Sequence, residues 1–130
     1  MSCELFFDPS YRVLLVKPGP ALTQPVILDM YAAAGRFVAA RGACRGILDL
    51  AAVECVDVSN AFVVYQAHAI PALAGQRRVL AAPSDELFGL CRMFAAHQES
   101  EGDGPAVVRS LAEACALLDI ATPDFRPIDP

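Results

Sequence analysis

Hydrophobic and polar positions change period along this chain, and the changes mark its elements. Residues 3–7 and 11–17 are short apolar runs. Phe7-Asp8-Pro9-Ser10-Tyr11 between them is rich in turn formers, so a β-hairpin is expected. Pro18-Gly19-Pro20 closes the second strand. Thr23 can cap a helix with Pro25 in its first turn. Ile27, Met30, Tyr31, Ala34, Phe37 and Val38 then recur at helical spacing until Gly42, while Asp29, Ala33, Arg36 and Ala40 fall elsewhere. Residues 45–50 read as a strand buried on both faces, because Ile47 and Leu48 are adjacent.

The second half repeats this rhythm. A helix begins near Ser59 and carries Phe62, Tyr65, Ala69 and Leu73 on one stripe until Pro71 ends or kinks it. Residues 78–82 form a strand, and Pro83-Ser84-Asp85 opens a third helix with Leu87, Leu90, Cys91 and Phe94 inward. A polar turn at 99–104 leads to a strand at 106–108. Ser110 and Glu113 have capping-box spacing before a last helix packed through Leu111, Ala114, Leu117 and Leu118. The order β-β-α-β-α-β-α-β-α predicts one α/β domain, with a mixed, mostly parallel sheet of about five strands and about four helices. It occupies residues 1–120, and 121–130 are an extended, proline-containing tail whose Phe125 and Ile128 can dock on the domain or on a second copy. The hairpin edge is open to a partner strand.

Composition narrows the class of function. The 130 residues are 55% hydrophobic and 19% charged, which supports a sizeable core and argues against disorder. The net charge of −5 disfavours a nucleic-acid partner. No apolar run is long enough for a membrane span, and the start of the chain lacks a basic region before an apolar one, so no signal peptide is expected. Five cysteines without close pairs fit a reducing, cytoplasmic setting, with Cys55, Cys91 and Cys115 acting as small buried hydrophobes.

The richest stretch runs from Gly46 to Asn60. It joins a buried strand, a loop with aspartates at 49 and 57, and the capped start of a helix. A helix start carries free N–H groups and suits a polar contact. Asp49, at the carboxyl end of a parallel strand, lies where ligands bind in α/β sheets, or it hydrogen-bonds the following loop. Asp57 and Ser59 are a recognition or modification site, or simply a helix cap.

Here the residues carry a resemblance. The order of elements and the spacing Asp49-Leu50-x-x-Val53-x-x-x-Asp57-x-Ser59 resemble a STAS domain, the fold shared by sulfate transporters and bacterial anti-sigma-factor antagonists. The stretches Arg78-Val79-Leu80-Ala81-Ala82, Phe88-Gly89-Leu90-Cys91-Arg92-Met93-Phe94 and Val108-Arg109-Ser110-Leu111-Ala112-Glu113-Ala114 resemble its sporulation-antagonist-like (STAS/SEC14-type) small bacterial branch. The likeness spans residues 5 to 118. In the antagonists, the hydroxyl after the loop aspartate is phosphorylated, and the added charge drives the partner off. Asp57 matches that aspartate, but Val58 stands at the acceptor position and Asn60 replaces the glycine. Ser59 is the nearest hydroxyl, so the phosphoswitch is not carried over.

The other motifs add little chemistry. His68 and His97 make no metal pair by spacing, and no nucleophile elbow, phosphate-cradling loop or dinucleotide fingerprint occurs. No catalytic residue and no cofactor or metal is nominated. Phe88, Arg92 and Met93 point to an interface or groove lip, since aromatics, Met and Arg favour interfaces. The expected function is a non-enzymatic regulatory or protein-interaction module. Its partner-binding or regulatory residues are Asp49, Asp57, Val58, Ser59, Asn60 and Phe62, and its partner is a protein or a second copy. The alternative is a SEC14-type protein for a small hydrophobic, lipid-like ligand.

Overall fold

Three crossovers in one direction set the architecture. The computed structural model describes residues 3–129. The chain runs β1 (Cys3–Asp8), β2 (Val13–Pro18), β3 (Ala21–Thr23), α1 (Gln24–Arg41), β4 (Arg45–Asp49), β5 (Cys55–Asp57), α2 (Asn60–Ala67), β6 (Arg78–Ala81), α3 (Asp85–Glu99), β7 (Ala106–Val108), α4 (Leu111–Leu117) and β8 (Arg126–Ile128). A six-stranded sheet has the order β7-β6-β4-β2-β1-β8. β2, β4, β6 and β7 are parallel, and β1 is antiparallel to both of its neighbours. The domain is therefore α/β, with four helices and a mixed, mostly parallel sheet. β3 and β5 form a small parallel pair apart from it.

From β2 the chain steps to β4, β6 and β7, always towards the same edge. Crossovers of one hand and one direction leave their helices on one face. α1, α2 and α3 accordingly cover one side, around Leu5, Phe7, Leu14, Val16 and Leu80. The other side, with Val13, Leu15, Ile47 and Val79, is covered by α4 together with Ile120 and Phe125.

Local chemistry explains the helix starts. Thr23, Ser59, Ser84 and Ser110 are the N-caps, each accepting from a backbone N–H three residues on. At α4 the return bond of the capping box shifts by one residue: Glu113 Oε2 accepts from Arg109 N–H at 3.2 Å.

Two polar groups, the buried Asp8 and the half-buried Arg45, tie the thinly covered side together. Asp8 is 0% exposed. Its Oδ1 accepts from Ser10 and Tyr11 N–H at 2.9 and 3.0 Å, and its Oδ2 from Asp124 N–H at 2.7 Å. Burial pushes this carboxyl up. The donors of Tyr11, Asp124 and Ser10, with the Arg126 charge, more than offset that and hold it below the usual range. Arg45 donates at 2.9 Å to Leu118 O and to Tyr11 O, fastening the end of α4 to the hairpin turn.

Several expectations need correction. The hairpin edge is not open, because β8 pairs along β1 with Phe6 opposite Pro127. α2 ends at Ala67, and it buries Val63, Gln66 and Ala67, not the Tyr65 stripe. Of that stripe Tyr65 is 72% exposed, whereas Phe62, Ala69 and Leu73 are half-buried. α4 buries Ala114 and Cys115, and Leu117 faces out. Ala33 of α1 is buried. Cys55 is exposed, because β5 lies outside the main sheet.

Candidate functional site

Asp49 is held by its own loop. It alternates with Leu48, so it lies on the α4 side with Ile47. It is 3% exposed; its Oδ1 accepts from Ala51 N–H at 3.1 Å, and its Oδ2 lies 3.9 Å from Lys17 Nζ. A sheet wound in one direction has no point where connections part to opposite faces, so it lacks the crevice that such a position borders in doubly wound folds. Asp49 is thus a loop-positioning carboxylate.

The loop beyond it is carried outward. Glu54 and Cys55 N–H donate to Pro20 O at 2.7 and 3.3 Å, which starts the β3–β5 pair. Its register sets Asp57 opposite Thr23, the N-cap of α1, and two residues before Ser59, the N-cap of α2. Neither helix has an acidic residue in its first turn, so the exposed Asp57 carboxylate stands beside two helix starts. Ser59 Oγ accepts from Phe62 N–H at 3.1 Å, which engages its hydroxyl as a cap. Val58 is half-buried and Asn60 exposed. Phe62 is half-buried and lines an apolar pocket that is partly open to solvent.

The Phe88, Arg92 and Met93 group belongs to α3 and stands apart from this loop in sequence and in its contacts. Phe88 and Met93 are half-buried, and Arg92 is exposed with its guanidinium 5.8 Å from the Phe88 ring. Arg109, before α4, lies closer, at 3.9 Å over the same ring, and pairs with Asp85 at 2.8 Å. Sequence reading missed Arg109, since its helix-cap setting masks its reach to α3.

The fold also joins groups that were read separately. His68, the C-cap of α2, donates from Nδ1 to Glu101 Oε1 at 2.6 Å, and its Nε2 lies 3.3 Å from His97 Nδ1 on α3. Protons on both Nδ1 atoms satisfy this chain of contacts. Among the described residues, no group of three or more His, Cys, Asp or Glu side chains is placed to hold a metal ion. Among the same residues, no helix is long and apolar enough to cross a membrane.

Beneath the helices lie two apolar cavities, of about 130 and 80 Å³. Met30, Tyr31, Leu48, Leu80 and Phe94 line both. Burial pushes the thiol of Cys91, beside the smaller cavity, up to about 12, and it raises Cys3, Cys44 and Cys115 elsewhere in the core. No protein-family model, no curated protein and no solved structure matches this chain.

Proposed function

We propose that this chain is a non-enzymatic, STAS-like interaction module that binds a protein partner or a second copy through the outer side of α2 and the loop before it. The exposure of Tyr65 carries this reading: 72% of it is open to solvent. Ala61, Tyr65 and His68 share the outer helical face, and Ile70 just beyond is 86% exposed. Large exposed side chains of this kind anchor interfaces. Asp57, Ser59 and Asn60 supply polar groups at the N-terminal end of the same helix. The element order and the aspartate spacing support the STAS likeness, with Val58 in place of the phospho-acceptor.

A lipid-sized ligand is the other reading. The cavities of about 130 and 80 Å³ count against it, since sites for drug-sized ligands span roughly 300–1,000 Å³. A photo-crosslinking side chain at position 65 in the 130-residue chain, produced in cells, tests the interaction reading. Crosslinked species should form there and not from position 117 on α4, which is also exposed. Equal yields at both positions, or none at 65, overturn it.

A further inference from the structure

We propose that His68 and His97 form a two-imidazole site for one divalent ion of the zinc class, which pins the end of α2 to α3. The two rings meet edge to face, with His68 Nε2 at 3.3 Å from His97 Nδ1. That separation is long for a hydrogen bond from an N–H group. It is what a tetrahedral ion requires: two nitrogens bonded at the usual zinc distance and at the tetrahedral angle lie about 3.3–3.4 Å apart. Neighbouring positions of a square or octahedral centre would set them closer, at about 2.8–3.0 Å.

The surroundings prepare the donors. Glu101 Oε1 lies 2.6 Å from His68 Nδ1, so the carboxylate holds the ring proton there and leaves the Nε2 lone pair towards His97. A carboxylate behind a ligating imidazole fixes its tautomer and raises its basicity. The backbone holds the two rings in register through the neighbouring residues. Gln98, which is 1% exposed, donates from Nε2 to Ala67 O at 3.4 Å, and its Oε1 accepts from Arg78 Nη1. Ala67 precedes His68, and Gln98 follows His97. His97 Nδ1 becomes a ligand when its proton moves through solvent to Nε2, which releases no net proton. The side chain of His68 is 40% exposed, which gives an ion access from solvent. With two protein ligands, water fills the remaining positions, so the ion exchanges more readily than one held by the four ligands of a structural zinc site.

The site needs no partner and stands apart from the interaction reading, so Tyr65→Ala should leave its zinc affinity unchanged. Titrating zinc into the untagged, 15N-labelled 130-residue chain tests it at mildly alkaline pH, where imidazole is neutral. The chain should carry Cys55→Ser, because an exposed thiol binds zinc by itself. The sequence has two histidines, so the imidazole nitrogen spectrum reads the site directly. Zinc should shift His68 Nε2 and His97 Nδ1 together and saturably, and the His97 proton should move from Nδ1 to Nε2. Magnesium, which prefers oxygen ligands, should shift neither. His68→Ala and His97→Ala should each abolish the saturable change. Glu101→Gln should weaken zinc about tenfold and leave the same two nitrogens as ligands. The absence of a saturable imidazole shift at a large excess of zinc overturns the site. Binding that survives either alanine variant, or that engages His97 through Nε2, does the same. Unchanged affinity in Glu101→Gln overturns the positioning role of the carboxylate.

Discussion

The two faces of the sheet are built by different means. Three helices cover one face, yet they leave two cavities against it. The other face has a seven-residue helix and a tail, and its core residues Val13, Ile47, Val79, Ala114 and Leu118 are all 1% exposed or less. The thinner cover is fastened by directed bonds from Asp8 and Arg45, where charge makes each hydrogen bond stronger and fixes its geometry. The thicker cover has directed bonds too, from Arg78 and Gln98, but most of its contact is non-directional burial, which tolerates gaps. The face with more material therefore keeps open space, and the face with less keeps almost none.

Truncation in the tight face tests this contrast most severely. Leu118→Ala should cost about 3 kcal/mol in urea unfolding, because α4 loses its anchor and the surroundings cannot collapse. A loss near 1 kcal/mol would show that this face is no tighter than the other. Removing a directed bond comes next. Asp8→Ala strands three backbone donors and should cost about 2 kcal/mol at neutral pH. In the folded chain the Asp8 carboxyl titrates below its ordinary, unfolded-chain value. Its contribution is therefore complete above that value and is lost as pH falls through the lower, folded value. Stability of the wild type should fall across this acid window, and Asp8→Ala should lack that component.

Added volume sharpens the comparison. Ala114→Leu enters the tight face and should cost about 2 kcal/mol. Ala34→Leu makes the same change beside the cavity and should stay within about 1 kcal/mol of the wild type. Equal costs in thermal unfolding would erase the distinction between the faces. The smallest stability effect belongs to the exposed surface. Tyr65→Ala should change stability by less than about 0.5 kcal/mol while lowering the yield of complexes captured by a crosslinker at position 61.

The parts of this fold written locally were readable from the sequence. The caps Thr23, Ser59, Ser84 and Ser110 were legible because a cap bonds three residues away. The parallel strands showed as unbroken apolar runs. Tyr65 of α2 and Leu117 of α4 were misplaced because short, mostly apolar helices allow more than one apolar stripe, and only the packing chooses between them; Leu111 and Ala114 of α4, with its C-cap Leu118, do face the core. β3 and β5 are three residues each and exist through pairing across the whole of α1, which no local pattern records. β8 was hidden by Pro127, which a strand tolerates at a sheet edge. At the candidate site, the position of the loop was legible, but the burial of Asp49 and the use of the Ser59 hydroxyl as a cap came from contacts. The meeting of His68 with His97 was invisible because it joins different helices.

The uneven burial of the thiols has a practical consequence. Cys55 is the exposed cysteine, and the other four are shielded and raised in pKa. A maleimide dye added to the native chain should therefore settle on β5 alone, with no mutation needed. Its emission would report directly when anything docks beside Asp57.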